Sequence, residues 1–276
     1  MKKTTLYLYI LSLFFISCEE VVQIEVPSIT PKLIIDASFQ VFFNETPITA
    51  NTTVKLSKSA DYFDNIIPSV SNANVYLTNT SNNVRIDYVD ENSDGNFKPI
   101  IDFIPEDNIE YQLTVIYEDE TYIANATKIK TPTLISVVQG DRSLFSGKET
   151  EVIVTFSDDE TQENYYLFDF SNNIYNVLED RFFNGIDYSF SAFYQEDEIE
   201  LPADVVVKMT GISKEYYTYF RVLLSQGGQG GGGPFQTPPT SLLGNIVNNT
   251  NFENFPLGYF HISETDTFNI SLVEKE

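Results

Sequence analysis

Nucleophiles and general bases are scarce in this sequence: among 276 residues there is one cysteine, Cys18, and one histidine, His261. Cys18 follows Ser17 at the end of an apolar run from Leu6 to Ile16, itself preceded by Lys2 and Lys3. That arrangement is a secretory signal ending in a lipidation site, because a lipoprotein signal peptidase needs a small residue before the thiol that receives diacylglycerol. Residues 1–17 therefore read as a lipoprotein signal peptide, with the mature chain starting at Cys18. The apolar run is shorter than the ~18 residues a spanning helix needs. Acyl chains on Cys18 are expected to be the membrane anchor, and a thiol consumed by lipid is no nucleophile.

His261 lies in the apolar stretch Leu257-Gly258-Tyr259-Phe260-His261-Ile262-Ser263, where strand alternation puts it on the face opposite Phe260. No Gly-x-Ser-x-Gly elbow occurs to give it a serine partner, so a surface or groove-lining role is expected. With 40 acidic residues, adjacent carboxylates arise from composition alone. Asp158, Asp159 and Glu160, like Glu196, Asp197 and Glu198, are neighbours that point apart, whereas a glycosidase pair faces one bond across about 5 to 9 Å. Both read as solvated turns. Asp90-Glu91-Asn92-Ser93-Asp94-Gly95 matches the first half of an oxygen-ligand calcium loop, with Asp90, Asn92 and Asp94 as candidate ligands. Its twelfth position is Ile101 in place of glutamate, which favours a hairpin turn over a metal site. Gly230 to Gly233 lack the following Lys-Ser/Thr and the βαβ setting of a phosphate cradle. No cofactor beyond the covalent lipid is expected.

The formal charge of −24 becomes −26 once Lys2 and Lys3 are removed, with 14 basic residues left against 40 acidic. Phosphate backbones are bound by neutralising Lys and Arg, so nucleic acid is a poor partner for this surface. An anionic membrane would repel it too, leaving the lipid to hold it there. Apolar residues at 42%, including 22 Phe and 17 Tyr, supply enough surface for packed cores and exclude general disorder. One cysteine leaves no disulfide, which a chain this long does not need. The length suits two ordinary domains.

Around these residues the sequence predicts an all-β protein of two sandwich-like domains. Residues 18–31, with Glu19, Glu20, Pro27 and Pro31, form a lipidated tether whose fully extended reach is at most ~50 Å. From 32 to 131, short runs with period two and turn signals at Asn79–Asn83 and Asp94-Gly95-Asn96 predict an antiparallel sandwich, immunoglobulin-like or transthyretin-like. Thr131-Pro132-Thr133 ends it. Residues 132–276 form a second β-rich unit with an aromatic stretch from Tyr165 to Tyr194, in which Tyr165, Phe168 and Phe170 are expected in the core. It also holds a helix at 213–226 capped by Ser213, and a glycine-rich loop at 227–233. That loop, with Gly230, Gly231, Gly232, Pro234 and Phe235, is the expected partner-binding surface, with the aromatic stretch beside it.

Several stretches in order carry a resemblance: Val54-Lys55-Leu56-Ser57-Lys58, Val70 to Val75, Asn164-Tyr165-Tyr166, Phe235 with Pro238-Pro239, Gly244-Asn245-Ile246, and Leu257-Gly258-Tyr259-Phe260. Together they resemble a Bacteroidota outer-membrane lipoprotein family of unknown function, typically encoded beside TonB-dependent receptors. Asp158-Asp159 departs from the Asp-Pro usual there, and Leu242 from a nearby polar residue. The resemblance implies that Glu19 and Glu20 act as the export signal to the extracellular face of the outer membrane. It further implies a non-enzymatic accessory or ligand-binding subunit of an outer-membrane β-barrel complex such as a TonB-dependent receptor, with other surface lipoproteins as further partners. A free-standing cell-surface binding module or adhesin for peptide or glycan is the alternative, and the lack of Trp makes sugar stacking the weaker half of it.

Overall fold

Alternation shows most clearly in β1 (Leu33–Phe42), where Leu33, Ile35, Ala37, Phe39 and Val41 are buried while Ile34, Asp36, Ser38 and Gln40 face the other way. The computed structural model describes residues 30–60, 66–144, 146–227 and 242–274. Cys18, Glu19, Glu20, Gly230, Gly231, Gly232, Pro234 and Phe235 lie outside the described residues.

The chain is mostly β, as expected. After β1 come β2 (Thr49–Asn51), β3 (Val54–Lys58), β4 (Asn74–Asn79), β5 (Val84–Val89), β6 (Asn96–Pro99), β7 (Glu110–Tyr117) and β8 (Glu120–Ile129). The second half adds β9 (Leu134–Gln139), β10 (Thr150–Ser157), β11 (Tyr165–Asp169), β12 (Tyr175–Glu179), β13 (Asp187–Tyr194) and β14 (Ala203–Ile212). Helix α1 (Lys214–Gln226), β15 (Val247–Asn248) and the 16-residue β16 (Leu257–Leu272) complete it. One 13-stranded sheet runs β12-β11-β14-β16-β1-β3-β6-β5-β4-β7-β8-β15 with β2 beside β1, and β9, β10 and β13 form a second sheet.

Because β16 also pairs with β8, the strands β16, β1, β3, β6, β5, β4, β7 and β8 close into a ring. Its interior holds Ile35, Phe39, Leu56, Leu77, Phe97 and Leu113. The Tyr111 hydroxyl accepts the Glu106 amide hydrogen at 3.0 Å, the tyrosine-corner contact of immunoglobulin-like sandwiches. The second core lies between β9-β10-β13 and the strip β12-β11-β14-β16, filled by Phe156, Phe168, Phe170, Val207 and Met209.

Two expectations need correcting. The first sandwich is not wholly antiparallel, since β1 and β16 run parallel from Ile34↔Leu257 to Phe42↔Thr265. Parallel neighbours need a long crossover, and here that crossover runs through all the strands from β2 to β15, those of the second core among them. The division at 132 also fails to hold for Ile246 and for the last strand: Ile246, Phe260 and Ile262 pack in the first core, while Leu272 packs in the second. From Thr265 to Leu272, β16 pairs antiparallel with β14 instead, so one strand serves both cores.

The entry of β16 explains two of the motif stretches. Gly258 has φ +101°, and a Cβ there would lie 2.0 Å from the Ile35 carbonyl oxygen. Gly244 packs on Gly258, where a Cβ would meet the Gly258 oxygen at 1.7 Å. The Asn245 side chain then imitates a strand neighbour, donating to the Phe260 carbonyl at 2.8 Å and accepting the Phe260 amide at 2.9 Å. Gly258→Ala is expected to cost about 3 kcal/mol or more and Asn245→Ala about 2 kcal/mol, read as lowered urea midpoints. Unchanged midpoints would contradict this account of the β16 entry.

Candidate functional site

Ser213 caps α1, its hydroxyl oxygen accepting the Tyr216 amide at 3.2 Å, with Glu215 in the first turn against the helix dipole. The helix turns Tyr216 and Tyr217 onto the outward face of the 13-stranded sheet. Tyr217 meets Tyr165 at 5.1 Å between ring centroids. Tyr165 is therefore under the helix and not in the strand core, unlike Phe168 and Phe170, which are fully buried as expected.

Between helix and sheet runs a groove of about 980 Å³. Its floor is the outward side of the strands: Ile34, Asp36, Ser38 and Gln40 of β1, Asp169 of β11, Lys208 and Thr210 of β14, Tyr259 and His261 of β16. Tyr216, Tyr219, Phe220 and Leu223 of α1 form one wall, and Tyr175 of β12 extends it. Ring centroids lie 4.8 Å apart for Tyr216 and Tyr259, 5.0 Å for Tyr219 and Tyr259, and 5.5 Å for Tyr175 and Phe220. Gln226, at the end of α1, and Leu242 both line it.

The floor is polar. Asp36 accepts the Ser38 hydroxyl at 2.9 Å, and Lys208 approaches Asp169 at 3.8 Å. Burial, with Asp36 adding repulsion, pushes the Tyr219 phenol up to about 12 and raises Tyr216 further. Tyr175 is raised by burial and then by Asp169 and Asp36, so both carboxylates act on the same stretch of groove. His261 lies beneath Tyr216, ring centroids 4.1 Å apart, with Nδ1 3.2 Å from the Ser263 hydroxyl. Burial takes its pKa down to about 3. It is a neutral floor residue, as the strand alternation suggested.

The other candidates are structural. Asp90 accepts the amide hydrogens of Asp94 at 3.2 Å and Gly95 at 2.8 Å, and Asp94 accepts that of Asn96 at 3.0 Å. Gly95 has φ +83°, and a Cβ there would lie 2.4 Å from the Leu56 oxygen. The carboxylates of this hairpin thus hold their own backbone. Among the described residues no group of three or more His, Cys, Asp or Glu is placed to hold a metal. Asp158 is not the solvated turn residue expected. It is buried, accepting the Tyr166 hydroxyl and the Gly185 amide at 2.8 Å. Asp159 caps the turn at Thr161, and Glu196 pairs with Lys148 at 2.8 Å.

The sequence reading missed the groove residues Asp36, Tyr175, Tyr216, Tyr219 and Tyr259. One signal was available: the off-core face of β1 reads Ile34, Asp36, Ser38, Gln40, a mixed face that a covering helix leaves partly open.

The neutral His261 makes stability depend on pH. Its folded pKa, about 3, lies below the unfolded value of 6.5, so below pH 6.5 the unfolded chain binds a proton the folded one does not. Stability is full above 6.5 and falls as pH drops, by up to about 1.4 kcal/mol per pH unit. His261→Phe is expected to flatten the urea-derived slope between pH 6.5 and 4.5, above the ordinary carboxylate range. An unaltered slope would contradict a buried neutral imidazole.

No curated protein matches the chain. Among solved structures, the selenomethionine-substituted chicken interferon gamma receptor alpha chain is similar at 13% identity, over 68% of this chain and 90% of that one, with a TM-score of 0.20. A likeness at that level carries no argument. The family match covers residues 19–269, and by it this chain belongs to the family described as a domain of unknown function, DUF4249.

Proposed function

We propose that the protein is a lipid-anchored outer-membrane lipoprotein, facing the cell exterior, that acts without catalysis as an accessory or ligand-binding subunit of a β-barrel complex such as a TonB-dependent receptor. The anchor rests on Ser17-Cys18 after the apolar run, and the outward address on Glu19 and Glu20. The observation that carries the binding role is the groove under α1, about 980 Å³ with aromatic walls and a polar floor, the character of a recognition site. Its only histidine is neutral and stacked beneath Tyr216, which favours recognition over acid–base chemistry. Gln226 and Leu242, which line the groove, flank in sequence the stretch holding Gly227 to Pro234 and Phe235, the second contact surface in this reading.

Two variants test it. Cys18→Ser is expected to leave the membrane fraction, and retention there would contradict the lipid anchor. Leu223→Trp places bulk at the groove wall from a residue 40% exposed, so folding is spared. Pull-down from detergent-solubilised outer membrane is expected to recover a barrel with the wild type and at least several-fold less with Leu223→Trp. Equal recovery would put the barrel contact elsewhere, and no barrel at all would favour the free-standing binder.

A further inference from the structure

The groove gathers tyrosines around two carboxylates, Asp169 beside Lys208 and Asp36 on β1. Asp36 sits at the centre of the β1 floor, with one oxygen taken by Ser38 at 2.9 Å. Lys55 stands opposite it across the β1–β3 register. Yet among the described residues no lysine or arginine nitrogen comes within 4.0 Å of the Asp36 carboxylate. The other groove cations are engaged, Lys208 by Asp169 at 3.8 Å and Lys32 by the Phe255 ring at 4.0 Å. Tyr175, Tyr216 and Tyr219 all lie close enough to Asp36 to feel its charge. Tyr216 and Tyr219 stack with centroids 6.0 Å apart. Aromatic faces beside a carboxylate with spare acceptor capacity suit an organic cation, above all a planar guanidinium.

The groove is also long. Ile34, Asp36, Ser38 and Gln40 all line it, and roughly six strand steps of about 3.3 Å make a floor of about 20 Å. Its volume of about 980 Å³ is at the upper end for small-molecule sites, about 300 to 1,000 Å³, whereas about six extended residues span that floor. The floor is a sheet face and not an edge, so an occupant is read through its side chains and not by strand addition. Resting on the reading of the groove as the binding site, we infer that it takes an extended polypeptide segment and seats one basic side chain, arginine or lysine, against Asp36 between the tyrosines.

The test uses the full mature chain and a capped alanine-rich hexapeptide with one central arginine, beside the same peptide carrying neutral citrulline, and N-acetyl-arginine amide as a small cation. Calorimetric titration is expected to show the arginine peptide binding about tenfold more tightly than the citrulline peptide and more tightly than the small cation. Asp36→Asn, at an exposed position, is expected to erase the difference, while Asp102→Asn, exposed and outside the groove, is expected to keep it. Equal binding of the two peptides, or none at millimolar concentration, would overturn the inference. So would a small cation binding as well as the peptide, which would make the occupant a free amine or guanidine. If Asp36→Asn keeps full barrel recovery in the pull-down while Leu223→Trp loses it, the cation site fails and the groove reading stands. If neither loses it, both fail.

Discussion

Everything distinctive in this molecule depends on β16 belonging to two cores at once. Its first nine residues run parallel to β1 and its last eight antiparallel to β14. Phe260 and Ile262 are fully buried on one side of that change and Leu272 on the other. A strand is a stiff object with side chains fixed at period two, so sharing it locks the sheet of one core in register with the sheet of the other. The result is a continuous outward face that neither half could offer alone. The cost is a tight entry, met by two glycines where no Cβ fits and by Asn245 bridging the Phe260 backbone.

That continuous face is what makes the groove possible. Asp36 comes from β1, Asp169 and Lys208 from β11 and β14, and Tyr259 and His261 from the shared strand. The only long helix among the described residues is set on the same face by Ser213 and by Tyr216 on His261. Its tyrosines cover part of the polar floor and leave the rest open. The groove is therefore built from both halves of the chain, and its shape is tied to the register that β16 imposes.

Much of the fold was legible in the sequence and much of the site was not, for physical reasons. Period two in Leu33 to Val41 marks a strand with one buried face, and Ser213 before an apolar 3.6-residue pattern marks the helix. Periodicity says which side of a strand is wet but not which strand lies beside it. The parallel pairing of β1 with β16, more than 200 positions apart in the numbering, was thus invisible. Asp36 could be placed on an outward face but not beneath a helix that lies at 214–226. Asp158 read as a solvated turn because the donors it accepts from, the Tyr166 hydroxyl and the Gly185 amide, are brought to it by the tertiary fold. Gly244-Asn245 and Gly258 stood out as motifs before there was any reason for them; the reason is steric and appears once Ile35 is opposite.

The central proposal is that the groove between α1 and the sheet is the surface by which the protein works with an outer-membrane barrel. Site-specific photo-crosslinking in intact cells tests it most directly, with a benzophenone amino acid at Tyr219 in the groove or at Ile135, 51% exposed on the second sheet. The account predicts an adduct of barrel size from Tyr219 and none from Ile135. The same adduct from Ile135, with none from Tyr219, would contradict it.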